Sequence, residues 1–382
     1  MIYLDSAATT PVRREVLEAM WPYLTGEFGN PSSSHGLGER AASALKAARA
    51  TMAECLGCRA NEVIFTSGGT EADNLAIKGI ALAAPRGRHI VTTPIEHEAV
   101  LESCGYLERQ HGFTVTQVPV DRFGVVDAAA FEAALRDDTT LCSVMLANNE
   151  VGTIEPVAEL ARLARARGIP FHTDAVQAAG ALGLDVHKLG VDALSMSGHK
   201  LGAPKGIGAL FLRGRLLAEP VLHGGGQERG RRSGTENVAG AVGLAKALEL
   251  ATVGLAGRAA RLSAVRDGLI AGVLAAVPGA FLTGHATERL PGNASFCFVG
   301  MSGEAILLQL EERGVICSSG SACAAGRDEP SHVLLAMGVA PEMARTAVRF
   351  TLSDSVTMAS VPETVAAVRA ACAAVGAPAS LK

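Results

Sequence analysis

Aromatic residues are scarce in this chain, at 4% of 382 positions, so stacking on aromatic side chains is not the main route to any ligand. An excess of one charge is also lacking, since 34 Lys and Arg face 38 Asp and Glu for a formal net charge of -4. With a pI near 6.2, that balance argues against nucleic acid as a partner, because a binder would show a basic patch or a high pI. No uncharged apolar run approaches the ~18 residues that span a bilayer, so no membrane association is expected. The start, MIYLDSAATT, has no basic segment and sets Asp5 inside its apolar stretch, so no signal peptide is expected. Eight cysteines are too few for a disulfide scaffold and point to reduced thiols in a cytoplasmic, soluble protein. Cys55 and Cys58 have C-x-x-C spacing but lack a second such pair or a His pair, so no metal site is expected.

What the chain has is core material. Hydrophobic residues make up 48% and charged residues 19%, and a soft prior of roughly 150 residues per domain allows two or three domains. Short β-branched runs at 63–66, 89–93, 114–120, 141–146, 170–173, 192–197 and 207–212 read as strands. Helix-period stretches separate them, including 99–109, 128–136 and 156–167. This alternation predicts an α/β fold with a mostly parallel, seven-stranded sheet covered on both faces. After residue 255 the texture changes. A helix at 259–276, a strand at 294–299, a helix at 304–312, a small-residue run at 317–326, a strand at 348–352 and an Ala-rich last helix predict a smaller α+β domain. The expected division is 16–254 for the large domain, with 1–15 and 255–382 in the small one. The first dozen residues could pair with either part.

In an open α/β sheet, ligands bind at the carboxyl ends of strands. Ser67-Gly68-Gly69-Thr70 follows one strand and opens a helix, whose first N–H groups suit an anion such as a phosphate. By itself it reads first as a turn with an N-cap. Asp174 ends the strand at 170–173 and is equally a helix cap. Lys200 follows another apolar strand, in Ser197-Gly198-His199-Lys200. Partial enclosure would lower its pKa and make it a nucleophile toward an aldehyde, although a lone lysine is most often a solvated charge. A lysine, an acid and a phosphate cradle on one sheet edge together fit pyridoxal 5'-phosphate, which needs a Schiff-base lysine, an acid for its ring nitrogen and an anion site.

A second constellation lies in the run from Cys317 to Gly326, ten small residues too slight to anchor a core. A thiol on such a loop, Cys323, would be accessible, whereas Cys317 abuts Val315-Ile316 and reads as packing. Arg349 interrupts the apolar strand at 348–352. It needs a carboxylate, either structural or that of an amino-acid substrate.

These residues resemble the cysteine desulfurases of the NifS/IscS type, within the fold-type-I pyridoxal-phosphate enzymes. The likeness rests on Gly29-Asn30-Pro31-Ser32-Ser33, Thr66-Ser67-Gly68-Gly69-Thr70-Glu71, Glu96-His97, Asn148-Asn149-Glu150-Val151-Gly152 and His172-Thr173-Asp174-Ala175-Val176-Gln177. It continues through Ser197-Gly198-His199-Lys200, Arg232-Ser233-Gly234-Thr235-Glu236-Asn237 and Ser318-Ser319-Gly320-Ser321-Ala322-Cys323. The resemblance implies that Lys200 binds the cofactor, Asp174 pairs with its ring nitrogen, Gln177 reaches its phenolic oxygen and His97 lies over the ring as an acid/base. Thr70, Ser197 and His199 would hold the phosphate beside Gly69, completed by Thr235 of the partner subunit, so a homodimer is implied. Asn149 and Arg349 would grip the substrate carboxylate, with Asn30 close by. L-cysteine would give L-alanine and a persulfide on Cys323, whose sulfur passes to an acceptor protein such as an iron–sulfur scaffold. The alternative on the same fold is a selenocysteine lyase or a related β-lyase.

Overall fold

The computed structural model describes residues 1–83, 85–320 and 329–376. Twelve strands run in chain order: β1 (Ile2–Tyr3), β2 (Val63–Thr66), β3 (His89–Thr92), β4 (Thr114–Gln117), β5 (Thr139–Ser143), β6 (Phe171–Asp174), β7 (Ala193–Ser197), β8 (Gly208–Leu212), β9 (Ala280–Thr283), β10 (Asn293–Phe298), β11 (Val315–Ile316) and β12 (Val348–Thr351). Seven of them form one sheet in the order β2-β8-β7-β6-β5-β3-β4. All neighbours are parallel except that β8 runs antiparallel to both β2 and β7. Runs such as Val63-Ile64-Phe65 and Gly208-Ala209-Leu210-Phe211-Leu212 are buried along their whole length, as a sheet covered on both faces requires. Only the edge strand β4, Thr-Val-Thr-Gln, keeps exposed positions. The α/β expectation holds.

The remaining strands make a three-stranded antiparallel sheet, β12-β10-β9, and a parallel pair, β1 with β11. Phe296, Phe298 and Phe350 pack there with Leu4, Leu310 and Val273 in a core distinct from those of the large sheet. The first residues bond to both parts of the chain. Ile2 and Tyr3 pair with Val315 and Ile316, while Thr10 N–H donates to His199 O at 2.9 Å and Arg13 N–H to Gly202 O at 2.9 Å.

Differences from the sequence reading are at element ends, in short strands and in helices it did not place, Arg14–Leu24 and Val238–Thr252. The fifth strand of the large sheet starts at Thr139 and stops at Ser143 rather than covering 141–146, and the long helix begins at Leu255 rather than 259. β1 and β11 went unread because two residues are too few to display a period, and the four-residue β9 went unread as well. Among the described residues, no single helix is long and apolar enough to cross a membrane.

Candidate functional site at the carboxyl edge of the large sheet

Three strand ends meet at this edge. β2 ends at Thr66 and leads into the helix Gly69–Ala83. β6 ends at Asp174, and β7 ends at Ser197 before the single turn Gly198–Lys200. The fit between them is tight: a Cβ on Gly69 would lie 2.8 Å from Val176 Cγ2 and 3.4 Å from Ser197 Cβ. Thr70 is exposed in the first turn of that helix, where backbone N–H groups have no intrahelical acceptor. A helix of 15 residues therefore presents its positive end beside Ser197.

Lys200 is turned toward the N-terminal strap. Its ammonium donates to the carbonyls of Ala7 and of Ala8, the latter at 2.8 Å. Gln177 Nε2 donates to the same Ala7 carbonyl at 3.0 Å, so both side chains converge on one peptide. His199 Nδ1 lies 3.2 Å from Thr9 Oγ1. Burial and the nearby charges of Lys200 and Lys205 push its imidazole down to about 4. A cavity of about 480 Å³ adjoins these groups, lined by Ser6, Ala7, Val176, Gln177, Lys200 and Asn293 among others. Ser6 Oγ is buried there without a hydrogen-bond partner among the described residues.

Asp174 is buried, and its Oδ1 accepts the Val176 N–H at 2.8 Å. Burial pushes its carboxyl up, while nearby His97 and Lys200 draw it down. His97 caps the helix Glu98–His111, with Nδ1 accepting the Ala99 N–H at 3.0 Å. In the neutral ring that bond leaves the proton on Nε2. The donor set suits pyridoxal phosphate: a lysine, a buried acid near Lys200 and His97, and a helix N-terminus at a position with no room for a side chain.

Arg349 has a carboxylate of its own chain beside it. Its Nη2 donates to Asp5 Oδ1 at 2.9 Å, and its Nη1 to Asn149 O at 2.9 Å and Gly320 O at 3.3 Å. Nε, also buried, has no partner among the described residues. Asn149 thus meets Arg349 through its backbone. Asn30 sits in an exposed turn, where its Oδ1 accepts the Ser32 N–H at 2.9 Å. Thr235 is exposed, in a segment tied to the phosphate-cradle helix by Arg232 Nε on Glu71 Oε1 at 2.8 Å. Cys323 lies outside the described residues. Burial pushes the Cys317 thiol far up, in keeping with a packing role.

Sequence reasoning missed a polar layer beneath Asp174. His172, two residues earlier on the same face of β6, bridges Ser143 Oγ at 2.8 Å and Ser195 Oγ at 2.9 Å. Asp73 Oδ1 lies 3.6 Å from His172 Nε2. All four are fully buried, and burial pushes the His172 imidazole down to about 3 and the Asp73 carboxyl well up. Asp73 shares its helical face with Ala76, Ile77 and Ile80, which is the signal that could have placed it inside.

Comparison with known proteins agrees with this geometry. Residues 2–363 match the family Aminotransferase class-V. The cysteine desulfurase IscS of Methanosarcina thermophila is 51% identical over 352 residues, covering 92% of this chain and 87% of the relative. A solved NifS-like protein superposes with a TM-score of 0.91 at 38% identity, covering 97% of this chain and 99% of its own. A structure described as SspA in complex with cysteine superposes with a TM-score of 0.81 at 36% identity, covering 92% and 99%. With a family match over nearly the whole chain and relatives at half identity, the chain belongs to the class-V aminotransferase family and, within it, to the pyridoxal-phosphate-dependent cysteine desulfurases.

Proposed function

We propose that this cysteine desulfurase takes sulfur from L-cysteine onto Cys323, releasing L-alanine, and hands the persulfide sulfur to an acceptor protein such as an iron–sulfur scaffold. The observation that carries the residue assignment is the convergence of Lys200 and Asp174 at the ends of neighbouring strands, with His97 near Asp174. The cysteine bound to the similar SspA supports the substrate.

When bound, pyridoxal phosphate supplies an electron sink for the substrate Cα. Lys200 anchors it and moves the Cα proton. The Asp174 carboxylate holds a proton on the ring nitrogen, and Gln177 reaches the phenolic oxygen. Thr70, Ser197 and His199, beside Gly69, hold the phosphate together with Thr235 of the partner subunit. His97 exchanges protons with the substrate thiol through Nε2. Arg349 and Asn149 hold the substrate carboxylate, with Asn30 near it, and the unpartnered Arg349 Nε supports this role. The Cys323 thiolate attacks the substrate sulfur: the S–S bond forms, the C–S bond breaks, and the electron pair stays with carbon. That carbon fragment takes up protons to become alanine.

A second copy of the chain completes the site in this reading. Exposed Thr235 supports it, as do exposed Trp21, Leu24 and Phe28 on one stretch of surface chain. The separate cores support a large domain at 16–254 and a small one at 1–15 and 255–382. All seven described cysteines are free thiols, which suits the cytoplasm. The test is incubation with L-cysteine, quantifying alanine and Cys323 persulfide together, with borohydride reduction to map the cofactor adduct. Equal alanine and persulfide, and an adduct on the Lys200 peptide, are expected. An adduct on Lys205 or a persulfide on Cys317 refutes the assignment.

A further inference from the structure

Glu150 is a buried carboxylate to which the chemistry above gives no task. It follows Asn149, and its backbone is held from two sides. Asn148 Oδ1 accepts its N–H at 2.8 Å, and Asn293 Nδ2 donates to its carbonyl at 3.3 Å. Its Oε2 accepts the Ser331 hydroxyl. Ser331 Oγ in turn accepts the Leu334 N–H at 3.1 Å, capping the helix His332–Ala336. Gly320 approaches the same oxygen: a Cβ there would lie 3.5 Å from Glu150 Oε2, and its φ of 89° favours glycine. Two points of the chain on either side of Cys323, Gly320 and Ser331, therefore meet on one carboxylate.

Arg349 grips the same place from the other side, through its Nη1 bonds to Gly320 O and to Asn149 O, next to Glu150 in sequence. Burial pushes the Glu150 carboxyl up, while the Ser331 hydroxyl and the charges of His332 and Arg349 draw it down. Anchoring both ends of a chain segment restricts the volume it samples and raises the effective concentration of any group it carries near the anchor.

We propose that Glu150 is a positioning residue for sulfur transfer: by binding Ser331 and packing on Gly320 it fixes both ends of the segment carrying Cys323 beside Arg349. The inference rests on the reading of Cys323 as sulfur acceptor and Arg349 as carboxylate ligand. Glu150 acts through the segment's ends and touches no reacting atom.

The test uses the holoenzyme carrying Glu150→Gln, Ser331→Ala or both, in single turnovers with L-cysteine. The change in cofactor absorbance reports substrate arrival, and mass spectrometry of Cys323 reports transfer. Loss of a hydrogen bond to a charged group should slow transfer about tenfold or more in each single variant. The half-saturating cysteine concentration for the absorbance change should stay at the parental value. Because the residues act as a unit, the double variant should be no slower than the slower single one. Parental transfer rates in the single variants would overturn the proposal, and so would equal losses in both signals or additive losses in the double variant. Ser331→Ala carries the test by itself if Glu150→Gln does not fold. Cys323→Ser, run alongside, separates the two readings: alanine released at the parental rate by that variant refutes the acceptor itself, whereas parental transfer in Glu150→Gln with Cys323 still required refutes only the role of Glu150.

Discussion

Replacing Gly69 by alanine puts a methyl group where the start of the helix Gly69–Ala83 meets the ends of β6 and β7. The backbone at Gly69 is not left-handed, so the cost is one of space alone. The new Cβ would stand 2.8 Å from Val176 Cγ2 and 3.4 Å from Ser197 Cβ. Val176 is β-branched and stiff at χ1, so the helix start or the strand ends must move instead. Such overpacking costs about 1–3 kcal/mol. At about 2 kcal/mol, a domain of this size loses about 4–8 °C in Tm. If half of that falls on the cradle, through displaced Ser197, the Kd for pyridoxal phosphate rises about fivefold. Gly68 supplies the control, because a Cβ there meets nothing within 4 Å. Gly68→Ala should leave the Tm of the cofactor-free protein unchanged. Differential scanning fluorimetry of both apoproteins, with cofactor titrations followed by absorbance, makes the comparison. A Gly69→Ala protein with parental Tm and parental cofactor affinity would refute the tight junction on which the cradle depends.

Cys323→Ser should keep the cofactor yet yield neither persulfide nor catalytic alanine from L-cysteine, while Cys317→Ser, whose buried thiol is pushed far up, turns over near the parental rate. Persulfide mapping decides between them. Asp174→Asn should retain some cofactor by absorbance and lose most turnover, since a neutral amide holds the ring proton poorly; near-parental activity would reject the role. Glu155 concerns stability rather than catalysis. It is buried, with Oε1 unpartnered among the described residues, and its carboxyl is pushed up to about 8 from an ordinary 4.5. Between those values the folded state holds the extra proton, so this group's contribution to stability falls as pH rises from about 4.5 to 8. Glu155→Gln should therefore gain on the parent between pH 5 and pH 8 in urea denaturation, and a pH-independent difference would count against it.

The large sheet was legible because its strands are uninterrupted apolar runs separated by helix-period stretches, a pattern that belongs to parallel sheets buried on both faces. Asp174 and Lys200 were legible as site residues because polar groups sit just past such runs. Asp5 was not, since its partner Arg349 is 344 residues away and nothing local marks the pair. The carboxylate beside Arg349 was hidden in the sequence for the same reason. The turn toward Ala7 was hidden too, because it depends on backbone carbonyls, which no residue type announces. Ala-rich helices blur their own faces. Asp73, between Ala72 and Asn74, reads locally as polar surface, and only the spacing to Ala76, Ile77 and Ile80 gives its burial away.

The strap at the start of the chain bears on how the protein is made. Leu4 N–H donates to Ile316 O at 2.7 Å, Thr351 N–H to Leu4 O at 2.7 Å, and Thr10 N–H to His199 O at 2.9 Å. Synthesis is vectorial, and domains emerge N-terminus first at about 5–20 residues per second. The first few residues therefore leave the ribosome on the order of 15–60 s before Ile316 exists to receive them. The large sheet, complete at Leu212, can close in that interval. Ile2 to Leu4 cannot find their places until the other end of the chain arrives. The Ala7 and Ala8 carbonyls that hold Lys200 sit between that late anchor and Thr10, so the turn bearing the lysine acquires its final neighbours only after Ile316 and Thr351 have been made.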